Sequence, residues 1–278
     1  MSGGARVRPL AVLWAFVVRD LRIASTYRFQ LFVQVAAMFS LAVTFFFVSL
    51  MLRGVDRKLP ELAPYGGSYF AFVVLGLAVS LFMDAALRSF SLSVRTAQVT
   101  GTLEAMLATR TPVGLVVLGS ALSSLVGTFA RSAILVGLAI AVFGVPVAPG
   151  SLALAGLVVV LTGLATAALG IVAAAFIVAT KQGDPITTAI SGLSWLFSGV
   201  LYPREILPPP VQALAQALPM THALDGLRRT LLLGAGWDDV SGSVLGLAGF
   251  VVLAVPLGLA AFAFAVRRAR AAGSLAQY

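Results

Sequence analysis

The sequence contains no cysteine and a single histidine, His222. Disulfides, thiolate nucleophiles and histidine clusters around a metal are therefore excluded. Lysine is nearly absent as well: Lys58 follows Arg57, and Lys181 follows Thr180. A Walker A loop needs its lysine after a glycine-rich turn, so neither lysine belongs to a nucleotide site. Charge of either sign is scarce. Only 10% of the 278 residues are charged, against roughly a quarter in soluble chains, so most of the surface faces something other than water. Serines are plentiful, but His222 stands without a visible nucleophile–base partner, as a hydrolase would require. A secondary transporter would show carboxylates within its spans, and only Asp84 lies close to one. A charged selectivity ring would need a recurring charge, and only Arg131 interrupts an apolar run.

What the chain has instead is apolar length: 60% of its residues are hydrophobic. Apolar runs at 31–52, 69–87, 113–143, 152–180, 186–202 and 244–266 reach or approach the ~20 residues that cross hydrocarbon. Helices are the only sensible form for them, since an open strand in lipid leaves backbone groups unpaired. The fold expected is an all-α polytopic membrane protein, a single transmembrane domain over 1–278 with six spans. Residues 9–28 mix arginines with apolar residues. They imitate a secretory leader, but no small-x-small site follows and Arg19, Asp20 and Arg22 come at once, so an amphipathic helix in the membrane interface fits better. The stretch 144–150 carries the glycine and proline of a tight connection. Residues 88–112 read as a polar loop, and 203–240 as a mixed segment between the last two spans.

Six spans put both termini on one side. That side carries Arg6, Arg8, Arg19, Arg22, Arg28, Arg88, Arg95, Arg110, Lys181, Arg267, Arg268 and Arg270. The other carries Arg53, Arg57, Lys58, Arg204, Arg228 and Arg229. The positive-inside rule then makes both termini cytoplasmic, in a cytoplasmic membrane. The net charge of +9 flanks the apolar runs and matches an anionic lipid surface, with no nucleic-acid partner implied. If the protein performs work, a partner must supply the energy.

Two segments carry a resemblance. The stretch Gln98-Val99-Thr100-Gly101-Thr102-Leu103-Glu104-Ala105-Met106-Leu107, running on to Thr111-Pro112, is similar to the cytoplasmic signature of the ABC type-2 export permeases; Arg110 is a departure near its end. The stretch Ser198-Gly199-Val200-Leu201-Tyr202-Pro203, through Glu205 and Pro208 to Pro219-Met220-Thr221-His222 and on to Asp225-Gly226-Leu227-Arg228, resembles the family's segment after the fifth span, where a hairpin dips back into the outer membrane face. The resemblance implies a permease without its own cofactor, paired with a second permease subunit, identical or not, and docked on ABC ATPase subunits that hold ATP and magnesium. It implies that a coupling helix in 98–112, carrying Gly101, Thr102, Leu103, Glu104, Met106 and Leu107, meets the ATPase. It also implies export of an amphiphilic drug, lipid, glycolipid or polysaccharide; a channel or scaffold not driven by ATP is the reading from another class.

The residues themselves fit that role. Leu103, Met106 and Leu107 share a helix face at i, i+3, i+4 spacing, and a groove on a partner or a lipid surface would cover it. Arg131, some 4–5 Å from the middle of its run, either lines the pathway and favours an anionic head group or caps a packed interface. Gly156, Gly163, Gly170 and Ala174 give the fourth span a small face for helix packing, and Pro256 marks a kink in the sixth. Phe45, Phe46, Phe47, Tyr69 and Phe70 gather near the outer boundary, as anchors or as a stacking belt for sugars.

Overall fold

The structure, a computed structural model, describes residues 28–52, 65–99, 113–148, 150–180 and 185–271, with the isolated positions 14, 15, 18, 22, 26 and 62. These residues form eight α-helices and one 3-10 turn: α1 (Arg28–Leu52), α2 (Tyr69–Val99), α3 (Val113–Phe143), α4 (Leu152–Thr180), α5 (Pro185–Phe197), the turn Arg204–Ile206, α6 (Pro209–Gln216), α7 (Pro219–Leu233) and α8 (Trp237–Ala271). Five helices among them are long and apolar enough to cross a membrane, over Phe32–Leu52, Tyr69–Ser89, Val126–Phe143, Leu152–Thr180 and Trp237–Arg268. The all-helical, multi-pass reading of the composition therefore stands.

α2 is the central post. Its apolar window is 78% buried, against 11% for those of α1 and α8, which form the outside of the bundle. α2 and α3 run antiparallel: the Ser132 hydroxyl donates to Ala78 O at 3.0 Å, and Phe82 meets Phe129 edge-on. The Phe46, Phe70 and Phe143 rings pack with centroids 4.7 to 5.3 Å apart, tying α1, α2 and α3 together at one end. Offset and edge-to-face contacts of this kind add to the burial of each ring. Phe47 turns away and is exposed.

α4 and α8 run side by side in the same direction. A Cβ on Gly258 would lie 3.0 Å from Ala168 O, and further along Ala174, Ala175 and Val178 pack on Ala265. Small side chains bring the two backbones close enough for dispersion contact, which replaces the hydrophobic effect between helices in lipid. Gly163 plays its expected part, facing the Phe82 ring of α2, whereas Gly156 faces open space.

Several boundaries depart from the sequence expectation. The second run does not end at 87: its helix continues to Val99, so the first part of the polar stretch 88–112 is helical rather than loop. No glycine or proline interrupts it, and leaving hydrocarbon does not break a helix. The last span begins at Trp237, seven residues before the apolar run, because Asp238 and Asp239 suit a helix N-terminus. The run 186–202 is helical only over Pro185–Phe197, about 20 Å at 1.5 Å per residue. Gly199 ends it with φ +77, a conformation that L side chains avoid. Of the interface helix proposed at 9–28, the described positions 14, 15, 18, 22 and 26 are helical, and Arg28 is the first residue of α1; the others lie outside the described residues.

After that turn the chain folds back. Prolines stand at the first turns of α6 and α7, where a missing N–H costs nothing. Gly234 closes α7 in the left-handed region. α7 is inserted among the long helices. The ring of His222 lies against Gly246 of α8, and Gly226 faces Val158 of α4 and Ser243 of α8. Its inner end, Met220, is buried beside the middle of α2.

Candidate functional site

α7 is held in place by one cation. Arg228 is 3% exposed. Its Nε and Nη2 donate to Phe72 O at 3.3 and 3.0 Å, its Nη1 to Gly199 O at 2.8 Å and its Nη2 to Val200 O at 2.9 Å. The guanidinium carbon lies 3.3 Å from the Phe72 ring centroid. Five rigid donors on a planar fork allow one side chain to satisfy carbonyls from two separate elements. Gly76 makes room for this. A Cβ there would come within 2.8 Å of Arg228 Nη2 and closer still to Val200 O. Arg228 thus ties α7 to the start of α2 and to the turn that ends α5.

A polar cluster sits directly above. The Tyr65 hydroxyl lies 3.0 Å from Asp225 Oδ1 and 3.2 Å from Glu205 Oε1, its single proton shared between the two carboxylates. Arg204 Nη2 pairs with Asp225 Oδ2 at 3.0 Å, and its Nε reaches Glu205 at 3.4 Å. Burial, and then the negative charge of Asp225 and Glu205, push the Tyr65 hydroxyl above its ordinary range. It therefore stays a neutral donor across the physiological range.

A second polar feature lies at the opposite end of α2, where α2, α4, α5 and α7 enclose a cavity of about 460 Å³. Asp84 accepts from Ser191 of α5 at 2.6 Å and from Arg88, one helical turn on, at 3.0 Å. The buried hydroxyls of Ser80 and Ser194 line it deeper in, with Met220 and Trp195 as apolar walls.

The structure scatters the residues singled out from sequence. The Tyr202 hydroxyl donates to Leu196 O. Pro203 and Pro208 stand at the starts of the 3-10 turn and α6, and Pro219 is buried at the start of α7. Glu205 joins the Tyr65 cluster. His222 Nε2 lies 2.9 Å from Gln216 O, a bond that closes the α6–α7 turn and involves no catalytic partner. Arg131 donates to Gln34 Oε1 at 3.2 Å and Thr128 Oγ1 at 2.9 Å, a cross-link from α3 to α1 within the apolar region. Gly101, Thr102, Leu103, Glu104, Met106 and Leu107 lie outside the described residues.

Sequence reasoning gave no role of its own to Arg228, which it counted only among the charges on the side opposite the termini, nor to Tyr65, Arg204 and Asp225. A signal existed for two of them: Asp225 and Arg228 stand three apart, on one face of a helix that is otherwise rich in leucine.

A family model described as ABC-2 type transporter matches residues 10–232, which takes in the bundle through most of α7. No curated protein matches the chain.

Proposed function

The chain belongs to the ABC-2 type transporter family, and from that premise we propose that it is the permease subunit of an ATP-driven exporter, two permeases being paired on two ABC ATPase subunits. A multi-pass helical membrane component of an ABC transporter is what the family membership itself establishes. What supports the rest is that neither lysine of the sequence follows a glycine-rich turn, so a Walker A loop is expected on an ATPase outside these residues. Export is supported by the hairpin α6–α7 folded into one end of the bundle, as the family resemblance implies for the outer face. Six crossings are supported by the parallel course of α4 and α8. Two helices that cross in the same direction need one return between them, and α5 with its terminal turn is the segment available. The cargo on this reading is an amphiphile. Its deciding test is purification of the tagged chain from native membranes. An ABC ATPase should co-purify, and inverted vesicles should accumulate an amphiphilic dye only with ATP. A chain recovered alone, in vesicles indifferent to ATP, would favour the channel or scaffold reading.

Orientation is testable on the same material, because the cysteine-free sequence accepts single cysteines without background. Ser274→Cys is expected to be shielded from an impermeant maleimide in intact cells, and Gly67→Cys to be labelled. Labelling of Ser274→Cys from outside would reverse the proposed topology.

A further inference from the structure

Arg131 stands half-buried in the apolar stretch Val126–Phe143 of α3. Two of the five N–H groups of a guanidinium are used there. Nη1 donates to Gln34 Oε1 of α1, and Nη2 to Thr128 Oγ1 of its own helix. Both acceptors are neutral. Among the described residues no carboxylate pairs with Arg131, and its other three N–H groups meet no acceptor. Gln34 gives its carbonyl oxygen to this contact, and its own amide N–H groups meet no acceptor among the described residues.

The depth of the pair is telling. The bond to Thr128, three residues earlier, turns the guanidinium toward the N-terminal end of α3. Phe129, beside Thr128, packs on Phe82 of α2, which precedes the end of the apolar stretch Tyr69–Ser89 by about 10 Å at 1.5 Å per residue. Gln34 lies inside the start of the apolar stretch Phe32–Leu52 by about 3 Å on the same rise. The guanidinium is therefore about 3–10 Å from the head-group level of one leaflet, at the N-terminal ends of α1 and α3. It is open to the side. Phe32 and Phe129 are 68% and 48% exposed, and a Cβ on Gly127, one turn before Arg131, would meet nothing within 4 Å.

An unpaired cation beside hydrocarbon is costly. The waiting donors call for an anion from outside the described residues. A phosphodiester suits them: its two free oxygens match the guanidinium fork, and the Gln34 amide offers further donors beside it. A carboxylate brings two oxygens where a phosphodiester brings four. A zwitterionic head fits less well, because its ammonium would find no carboxylate at this pair among the described residues. Acyl chains can continue along Phe32 and Phe129.

We propose that Arg131 and Gln34 form a binding site between α1 and α3 for the phosphate of an anionic phospholipid, of the phosphatidylglycerol type, drawn from the adjoining leaflet. The site is a property of this chain and stands apart from the transporter reading.

The test uses the full chain in phosphatidylcholine nanodiscs, with a bimane label at Ala130→Cys, an exposed position next to Arg131. The cysteine-free sequence makes the label unique. Brominated phosphatidylglycerol should quench it with at least fivefold preference over brominated phosphatidylcholine at equal mole fraction. The same label at Leu253→Cys, on the exposed face of α8, should show less than twofold preference, since it samples lipid attracted only by the net charge. Arg131→Gln should abolish the preference at Ala130→Cys. Arg131→Lys should keep part of it, because charge survives without the fork, and Gln34→Ala should lower it at least twofold. These last two variants keep the test decisive if Arg131→Gln fails to fold. Excess inorganic phosphate should leave the quench unchanged; reversal by phosphate would mean a site for the free ion and overturn the lipid assignment. Equal preference at the two labels, or a preference at Ala130→Cys untouched by the variants, would overturn the proposal outright. No ATPase enters the measurement. A chain that exports but shows no preference would remove this proposal alone, and a chain that shows it but never pairs with an ATPase would remove the transporter reading alone.

Discussion

Arg228→Ala is expected to lower the stability of the folded bundle by about 2–6 kcal/mol, the cost of leaving two buried carbonyl acceptors unsatisfied. The substitution leaves the carbonyls of Gly199 and Val200 without the donors that now satisfy them, and takes from Phe72 O the donor it has beyond its own helix. Each orphaned buried acceptor costs about 1–3 kcal/mol. The side chain's packing against the Phe72 ring is lost as well. Arg228→Lys should recover only a minor part, because a single ammonium cannot reach carbonyls that lie on two elements and need a planar fork. Denaturation in a mixed-micelle titration, followed by tryptophan emission, measures the difference. A midpoint within the error of the parent for Arg228→Ala would show that the hairpin is held by packing alone. Tyr65→Phe is the informative neighbour. It removes one shared proton from a cluster that keeps its Arg204–Asp225 pair, so its effect should be several-fold smaller.

The largest effect on transport is expected at Glu104. On the proposed topology energy enters from the ATPase side, and 98–112 is the stretch expected there with apolar residues at helical spacing, a carboxylate and the resemblance to the family signature. Glu104→Arg should reduce ATP-dependent transport by more than tenfold and do more harm than Glu104→Ala, because reversing a charge against a basic partner adds repulsion to the lost attraction. Leu107→Ala should weaken docking by about 1–3 kcal/mol if the side chain fills a partner pocket. Both variants should insert into the membrane at parental levels. A photoreactive residue at Met106 should yield adducts with the ATPase. Adducts with lipid alone, together with full transport by Glu104→Arg, would remove the coupling role from this segment and reduce it to an amphipathic helix on the membrane.

These two positions mark the limits of what was legible beforehand. Glu104 is singled out by its sequence neighbours alone and lies outside the described residues, so its role is an expectation that the transport assay decides. Arg228 is a long-range residue. Its partners, Phe72 and Gly199, lie 156 and 29 positions away, and only its three-residue spacing from Asp225 sets it apart locally from the adjacent Arg229. The long helices were readable because hydrocarbon imposes both their length and their composition, as α4 illustrates with 29 residues and no charge. The course of α2 past Ser89 was not, since a criterion built on the bilayer is silent once the chain has left it. The short α5 was overextended for a related reason: Ser198–Tyr202 is as apolar as a span, and only the positive φ of Gly199 shows that the helix has already stopped. Asp84 was noticed as the carboxylate nearest a span, but Ser191, its partner, is brought beside it by the packing of α2 and α5.

The pairing of α4 with α8 has a consequence for the order in which the protein is made. The residues that line α4 along this seam are synthesised before Gly258 and Ala265, their partners on α8. Until those partners are made, α4 presents its small-residue flank with no helix of this chain to cover it, and the hairpin α6–α7 lacks the wall that Ser243 and Gly246 provide. Closure of this side of the bundle therefore waits for α8, and a chain cut short before it leaves the bundle open along that seam. Loss of the last 35 residues of helix should accordingly destroy the whole assembly and not merely shorten it.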